Sequence, residues 1–250
     1  MKTLTCHNTI IGENDQSAIA LPIVATNLAD LKEQLPAIRE SQPDLVEWRI
    51  DHLDHTPELK DLKDIRAALT VGLGDLPIIA TFRTQGEGGA MPLEEADYGD
   101  LLANLAQSDF DLIDVEVDHD LNLVEKAIQA SHDRNQLVIA SYHNFQSTPT
   151  TTFLQKQFEK MANLKADMAK IAVMPKTKAD VFRLLTVSQT AQESLTIPIV
   201  TMAMGDLGKI SRIAGQLSGS AITFASLDET AESAPGQLTI AQIRQIFQLL

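Results

Sequence analysis

Eight short apolar runs, rich in valine and isoleucine and recurring every 20 to 35 residues, constrain the fold of this chain more than any other feature. They are Leu21–Ala25, Leu45–Asp51, Ile78–Arg83, Leu112–Val117, Leu137–His143, Met168–Met174, Ile199–Met204 and Ala221–Ala225. The segments between them carry helical periodicity, as in Leu28, Leu31, Leu35 and Ile38, or Leu101, Leu102, Leu105 and Ala106. Near-continuous apolar strands separated by amphipathic helices imply a parallel sheet covered on its faces. Eight such units in 250 residues predict an α/β fold, a (β/α)8 TIM barrel. A doubly wound open sheet is the alternative. Its main functional signature is missing, because Ala25-Thr26-Asn27 stands where a G-x-G-x-x-G turn would follow the first strand. Residues 1–18 are polar and turn-rich and are expected to cap the closed end of the barrel. No linker, repeat or low-complexity tract interrupts the sequence, so residues 1–250 read as one domain.

Composition narrows the function. With 20 Lys and Arg against 34 Asp and Glu, the net charge is −14, which repels nucleic acid and anionic membrane at long range. A small anionic substrate then needs a few arginines that dominate locally. No run approaches the roughly 18 apolar residues of a membrane span, and MKTLTCHNTI lacks a secretory apolar core, so a cytoplasmic location is expected. A lone cysteine, Cys6, forms no internal disulfide and reads as a structural thiol.

In a barrel of this type the chemistry lies at the C-terminal ends of the strands, with side chains alternating inward and outward. Lys170 lies in the apolar run Met168 to Met174. A lysine held in apolar surroundings tends to lose its proton, and the free amine attacks carbonyls to form a Schiff base. The plain alternative is a lysine that caps a strand or snorkels to water. His143 ends the neighbouring strand, about 4.8 Å away, and a histidine near neutrality suits proton transfer at a carbon acidified by an imine.

Further ionisable groups share the strand ends. Glu47, Arg49 and Asp51 have one parity, which is costly unless they line a polar cavity or pair with one another. Arg83 runs into a glycine-rich turn carrying Glu87, which can approach the mouth closely. Asp114 and Glu116 share a face and can orient a cation. The following Asp118-His119-Asp120 has no metal-ligand spacing and reads as a solvated loop, so no metal is assigned. Gly205 to Ser211 does not match a phosphate loop, whereas Arg212 can grip a carboxylate bidentately. Met202 and Met204 read as apolar wall. Asp228 to Gln237 is small and polar, suited to a closing lid or to an ordinary exposed loop.

These residues together resemble the type I 3-dehydroquinate dehydratases, Schiff-base-forming enzymes of the shikimate pathway and of aromatic amino acid biosynthesis. The resemblance spans nearly the whole chain. It rests on Glu47-Trp48-Arg49-Ile50-Asp51, Thr81-Phe82-Arg83-Thr84 with Glu87-Gly88-Gly89, Ser141-Tyr142-His143-Asn144-Phe145, Lys170-Ile171-Ala172, Met204-Gly205 with Ser211-Arg212, and Pro235-Gly236-Gln237. It implies a lyase that removes water from 3-dehydroquinate in a syn sense to give 3-dehydroshikimate. Lys170 would form the imine with the C3 ketone, and His143 would take the C2 proton and protonate the departing C1 hydroxyl. Glu87 would orient His143. Arg212, Ser233 and Gln237 would hold the substrate carboxylate, Glu47, Arg49 and Arg83 would meet the ring hydroxyls, and Phe224 would pack as a wall. The resemblance further implies no metal, no redox cofactor and a homodimer.

Two other classes fit parts of the pattern. A class I aldolase also uses a barrel lysine, but its substrates usually carry phosphate, and few glycine amides follow the eighth run. A non-catalytic barrel would use Lys170 only as a fixed charge and would form no imine.

Overall fold

The computed structural model describes residues 1–228 and 234–249. A short antiparallel hairpin, β1 (Leu4–Cys6) and β2 (Thr9–Ile11), precedes a parallel eight-stranded sheet. Its strands are β3 (Ala18–Val24), β4 (Leu45–Arg49), β5 (Ile78–Thr81), β6 (Leu112–Glu116), β7 (Leu137–Asn144), β8 (Met168–Val173), β9 (Ile199–Ala203) and β10 (Ile222–Phe224). From β3 to β9 each strand pairs with the next, and β10 pairs with β3. The ring closes between β9 and β10 through the Ile199–Ser220 bridge and the Ala221 amide donating to the Ile199 carbonyl at 2.7 Å. Among the described residues eight α-helices alternate with the strands: α1 (Leu28–Ser41), α2 (Leu59–Leu73), α3 (Glu95–Leu105), α4 (Leu121–His132), α5 (Thr151–Asn163), α6 (Lys178–Ser194), α7 (Gly205–Ile213) and α8 (Ile240–Phe247). This is the (β/α)8 barrel expected from the apolar runs.

Strand alternation builds two cores. Outward residues such as Val46, Trp48, Ile113, Val115 and Ile171 pack with the helix faces supplied by Leu31, Leu62, Leu102, Val124 and Leu184. Inward residues Leu45, Ile79, Leu112, Ile139 and Met168 form a separate apolar cluster with Cys6 and Ile11 of the hairpin. The hairpin therefore plugs the N-terminal end of the barrel. Burial pushes the Cys6 thiol up to about 12, so it packs as a small apolar group.

Local differences from the sequence reading have simple causes. The first strand starts at Ala18, because small alanines pair there as readily as the Val/Ile stretch that follows. Asn27 ends that strand's loop by capping α1, its side chain accepting from the Ala29 and Asp30 amides at 3.0 Å each. The ladder of β4 stops at Arg49, and a 3-10 turn over Ile50–His52 brings Asp51 back toward Arg49. Likewise β5 stops at Thr81, which leaves Arg83 in the connection above the barrel.

Candidate active site

One inward position above the apolar plug, the strands turn polar. Glu47, Thr81, Asp114, Ser141 and Lys170 are all buried there. Lys170 Nζ donates to Glu47 Oε1 at 2.9 Å and to Asp114 Oδ2 at 3.1 Å, and it lies 4.5 Å from the centre of the Phe224 ring. The apolar surroundings expected for this lysine are not what the fold provides. Its sequence neighbours Ala169 and Ile171 point outward to the helices, and the inward face brings it carboxylates instead. Asp114 also accepts from Ser141 Oγ at 2.6 Å and from Arg83 Nη2 at 2.8 Å. Burial raises its carboxyl, but Arg83 and Lys170 outweigh that and hold it below the usual range.

Arg83 is the hub of the site. Its Nη1 donates to Glu116 Oε1 at 2.8 Å, Ser141 Oγ at 3.1 Å and Glu87 Oε2 at 3.3 Å. Both terminal nitrogens are thus engaged by internal partners. Glu87 reaches this point because the turn after β5 is tight: the Gly89 amide donates to the Thr84 carbonyl at 2.8 Å, and a Cβ on Gly89 would lie 1.7 Å from the Arg83 carbonyl oxygen. Gly88 has φ +87°, and a Cβ there would strike the Phe145 ring at 2.3 Å.

Glu87 Oε2 accepts from the His143 backbone amide at 2.9 Å and lies 2.8 Å from His143 Nδ1. Burial disfavours charge on both partners. The Glu87 carboxyl is raised well above the usual range by burial, against Arg83 and with Glu116, Asp114 and Asp118 adding. His143 is lowered well below 6.5 by burial, then by Arg83, Lys170 and Arg49. These influences favour the neutral ring, and since Glu87 Oε2 already accepts from the backbone amide and Arg83, it is placed to accept from Nδ1 as well.

Arg49 is committed elsewhere, donating bidentately to Asp51 at 2.8 and 2.7 Å. Burial raises the Asp51 carboxyl, yet Arg49 and the Ala90 amide hold it below its ordinary value. Of Glu47, Arg49 and Asp51, which share parity in the sequence, Arg49 and Asp51 pair with each other, while Glu47 turns to Lys170 and accepts from Thr81 Oγ1 at 3.1 Å. On the far side, Arg212 Nη1 donates to the Phe224 carbonyl at 3.1 Å and Nη2 to the Pro235 carbonyl at 3.2 Å. The Gly205 amide also donates to Pro235, at 3.0 Å, so the start of α7 and Arg212 together anchor the segment carrying Gln237.

Lys170, His143, Glu47, Arg49, Arg83, Arg212 and Gln237 all line one pocket. Glu87 stands behind His143, and Ser233 lies outside the described residues. Met202, Met204 and Phe224 form part of the wall. Thr81 and Ser141 were not singled out by sequence reasoning. Each lies two residues before a group that was, Arg83 and His143, so strand parity was the available signal. Among the described residues no His, Cys, Asp and Glu cluster is arranged to hold a metal.

Fold and site together define a (β/α)8-barrel enzyme whose working groups converge at the C-terminal end of the strands. The family model for type I 3-dehydroquinase matches residues 19–250. The chain is 40% identical over 227 residues to the 3-dehydroquinate dehydratase of Lactiplantibacillus plantarum, covering 90% of this chain and 89% of that one. It is 36% identical over 252 residues to the Salmonella typhimurium 3-dehydroquinate dehydratase, covering 100% and 99%. Among solved structures, 3-dehydroquinate dehydratase from Geobacillus kaustophilus superposes with a TM-score of 0.94 at 33% identity, covering 100% and 96%. The type I enzyme from Clostridium difficile with covalently modified comenic acid gives 0.93 at 31% identity, covering 100% and 98%. The chain belongs to the type I 3-dehydroquinase family, hydro-lyases of the shikimate pathway that act on 3-dehydroquinate. No helix among the described residues is long and apolar enough to cross a membrane.

Proposed function

We propose that this site dehydrates 3-dehydroquinate to 3-dehydroshikimate through an imine on Lys170, with His143 as acid and base. The observation that carries this reading is that Lys170 and His143 line one cavity while separate carboxylates hold each of them. The Lys170 amine adds to the C3 ketone and water leaves, forming an iminium that withdraws electrons from C2. His143 Nε2 takes the C2 proton to give an enamine, then returns that proton to the departing C1 hydroxyl. Water hydrolyses the product imine and frees the lysine. The net change is loss of one water from the substrate.

Glu87 fixes the ring orientation of His143 through Nδ1. Arg212 and Gln237 hold the substrate carboxylate, with Ser233 as the third member of that set. Glu47, Arg49 and Arg83 shape the polar wall that meets the ring hydroxyls. Because Arg49 and Arg83 already serve internal carboxylates, their contribution to the substrate is chiefly electrostatic. A phosphorylated aldolase substrate is the weaker reading, since a phosphate cradle calls for glycine amides after the last strands and only Gly236 follows β10. Assembly as a homodimer belongs to the same reading and is checked by light scattering, with twice the 27.3 kDa chain mass expected.

The test is 3-dehydroquinate labelled with deuterium at one C2 position at a time. A conjugated enone should appear, with label lost only from the face that carries the C1 hydroxyl. Loss from both faces, or no enone, contradicts the proposal.

A further inference from the structure

The triplet Asp118-His119-Asp120, expected to be a solvated loop, instead places a histidine behind the catalytic layer. The His119 ring packs on Tyr98 with centroids 4.5 Å apart. Its Nε2 lies 3.1 Å from Glu116 Oε2, and Nδ1 lies 3.6 Å from Glu95 Oε1. Glu116 is fully buried, and its Oε1 accepts from Arg83 Nη1 and the Thr84 amide at 2.8 Å each. The same Arg83 nitrogen donates to Glu87, which holds His143. Four contacts therefore join His119 to His143. A second pocket, which Lys170 does not line, touches His119, Glu116, Glu87 and His143.

We propose that His119 is a positioning residue for the base His143, acting through Glu116, Arg83 and Glu87. The inference rests on His143 serving as the base in the dehydration above. With a donor on Glu116 Oε2, Glu116 leaves Arg83 Nη1 to be shared with Glu87. Without His119 that oxygen keeps, among the described residues, only the Thr84 hydroxyl, at 2.6 Å, and the carboxylate, with one charged donor fewer, draws Arg83 toward itself. The Glu87 contact is the one that yields, since at 3.3 Å it is the longest Arg83 makes with these partners, against 2.8, 3.1 and 2.8 Å.

The charges around His119 favour its cationic form. Glu116 faces it from β6, Glu95 and Tyr98 from α3, and Asp118 and Asp120 flank it in its own loop. Across the side cavity stand Glu87, Tyr142 and His143. The Glu116 hydrogen bond raises the His119 imidazole above its ordinary value, against burial and with Glu95 adding. Loss of this cation, with weaker delivery of Arg83, makes His143 easier to protonate.

The test uses the full chain with 3-dehydroquinate and compares wild type with His119→Phe and His119→Gln. Phenylalanine keeps the packing on Tyr98 but removes both ring nitrogens, and glutamine restores an uncharged donor toward Glu116. For His119→Phe, kcat near pH 7 should fall by roughly three- to tenfold with KM within about twofold, as for a network member that touches neither substrate nor lysine. The acid limb of the kcat/KM profile should move to higher pH, while borohydride trapping at Lys170 stays complete. His119→Gln should recover most of kcat but keep the displaced limb. Wild-type kcat and an unmoved limb in His119→Phe overturn the inference, as does a loss that glutamine does not relieve and that does not vary with pH. Should His119→Phe fail to fold, an unmoved limb in His119→Gln overturns it. Absence of turnover in the wild type would instead reject the dehydration reading itself.

Discussion

Along each barrel strand the chemistry changes within one side-chain repeat. At the N-terminal end Leu45, Ile79, Leu112, Ile139 and Met168 meet the hairpin residues Cys6 and Ile11 in a purely apolar plug. Two residues further on, Glu47, Thr81, Asp114, Ser141 and Lys170 are as deeply buried but carry donors, acceptors and charge. The lower layer is stabilised by removal of apolar surface from water, roughly 25 cal/mol per Å². The upper layer exchanges hydration for charge-assisted bonds, a trade that is near neutral for stability and severe when one partner is lost. The lower layer thus adds to stability while the upper one gathers ionisable groups, and both are built from inward positions of the same strands.

Substitutions at the two levels should therefore fail differently. The largest expected effect is Lys170→Ala, which should lower turnover by roughly 10⁴-fold or more and abolish trapping of substrate by reductant. Turnover of 3-dehydroquinate by this variant would remove the lysine from the mechanism. His143→Ala should still form the imine but eliminate roughly 10² to 10⁴ times more slowly, seen as an adduct that accumulates ahead of product in quenched-flow mass spectra. Ile139→Ala probes the lower layer. It should cost about 2 to 5 kcal/mol in urea unfolding while kcat, measured where the protein stays folded, is unchanged. A kcat loss as large as that of His143→Ala would show that the two layers are not separable.

Arg212→Ala should raise the substrate dissociation constant by roughly 10- to 100-fold with a smaller effect on the chemical step, measured by calorimetry with His143→Ala as background. Unchanged affinity would place the carboxylate elsewhere. The smallest effect is on pH. Because burial and the cations Arg83, Lys170 and Arg49 favour the neutral ring, the His143 acid limb of kcat/KM should lie below 6.5. A limb above 6.5 would mean that Glu87 and its neighbours dominate over the cations.

The strands were legible in the sequence because both faces of a barrel strand are buried, which leaves continuous apolar runs such as Ile78-Ile79-Ala80 and Met168 to Met174. Parity along β4 also marked Glu47, Arg49 and Asp51 as members of one polar face. It did not reveal their partners, because Arg49 bonds Asp51 only through the 3-10 turn that follows the strand, and Glu47 meets Lys170 across 123 residues of sequence. The surroundings of Lys170 were misread for the same reason: its neighbours in sequence face the helices, and its neighbours in space come from other strands. His119 was hidden by its flanking aspartates, which look solvated in sequence although its own ring turns inward to Glu116.

On the proposed mechanism Lys170 joins covalently to the substrate within this polar layer. This step is tested most directly by incubating the protein with 3-dehydroquinate, reducing with borohydride and locating added mass by peptide mass spectrometry, with reductant-only and ligand-only controls. A reduced adduct on the peptide containing Lys170, present only when ligand and reductant are combined, is the predicted result. An unmodified Lys170 in folded protein that binds the ligand would rule out the imine and leave the barrel as a binding site with a fixed charge.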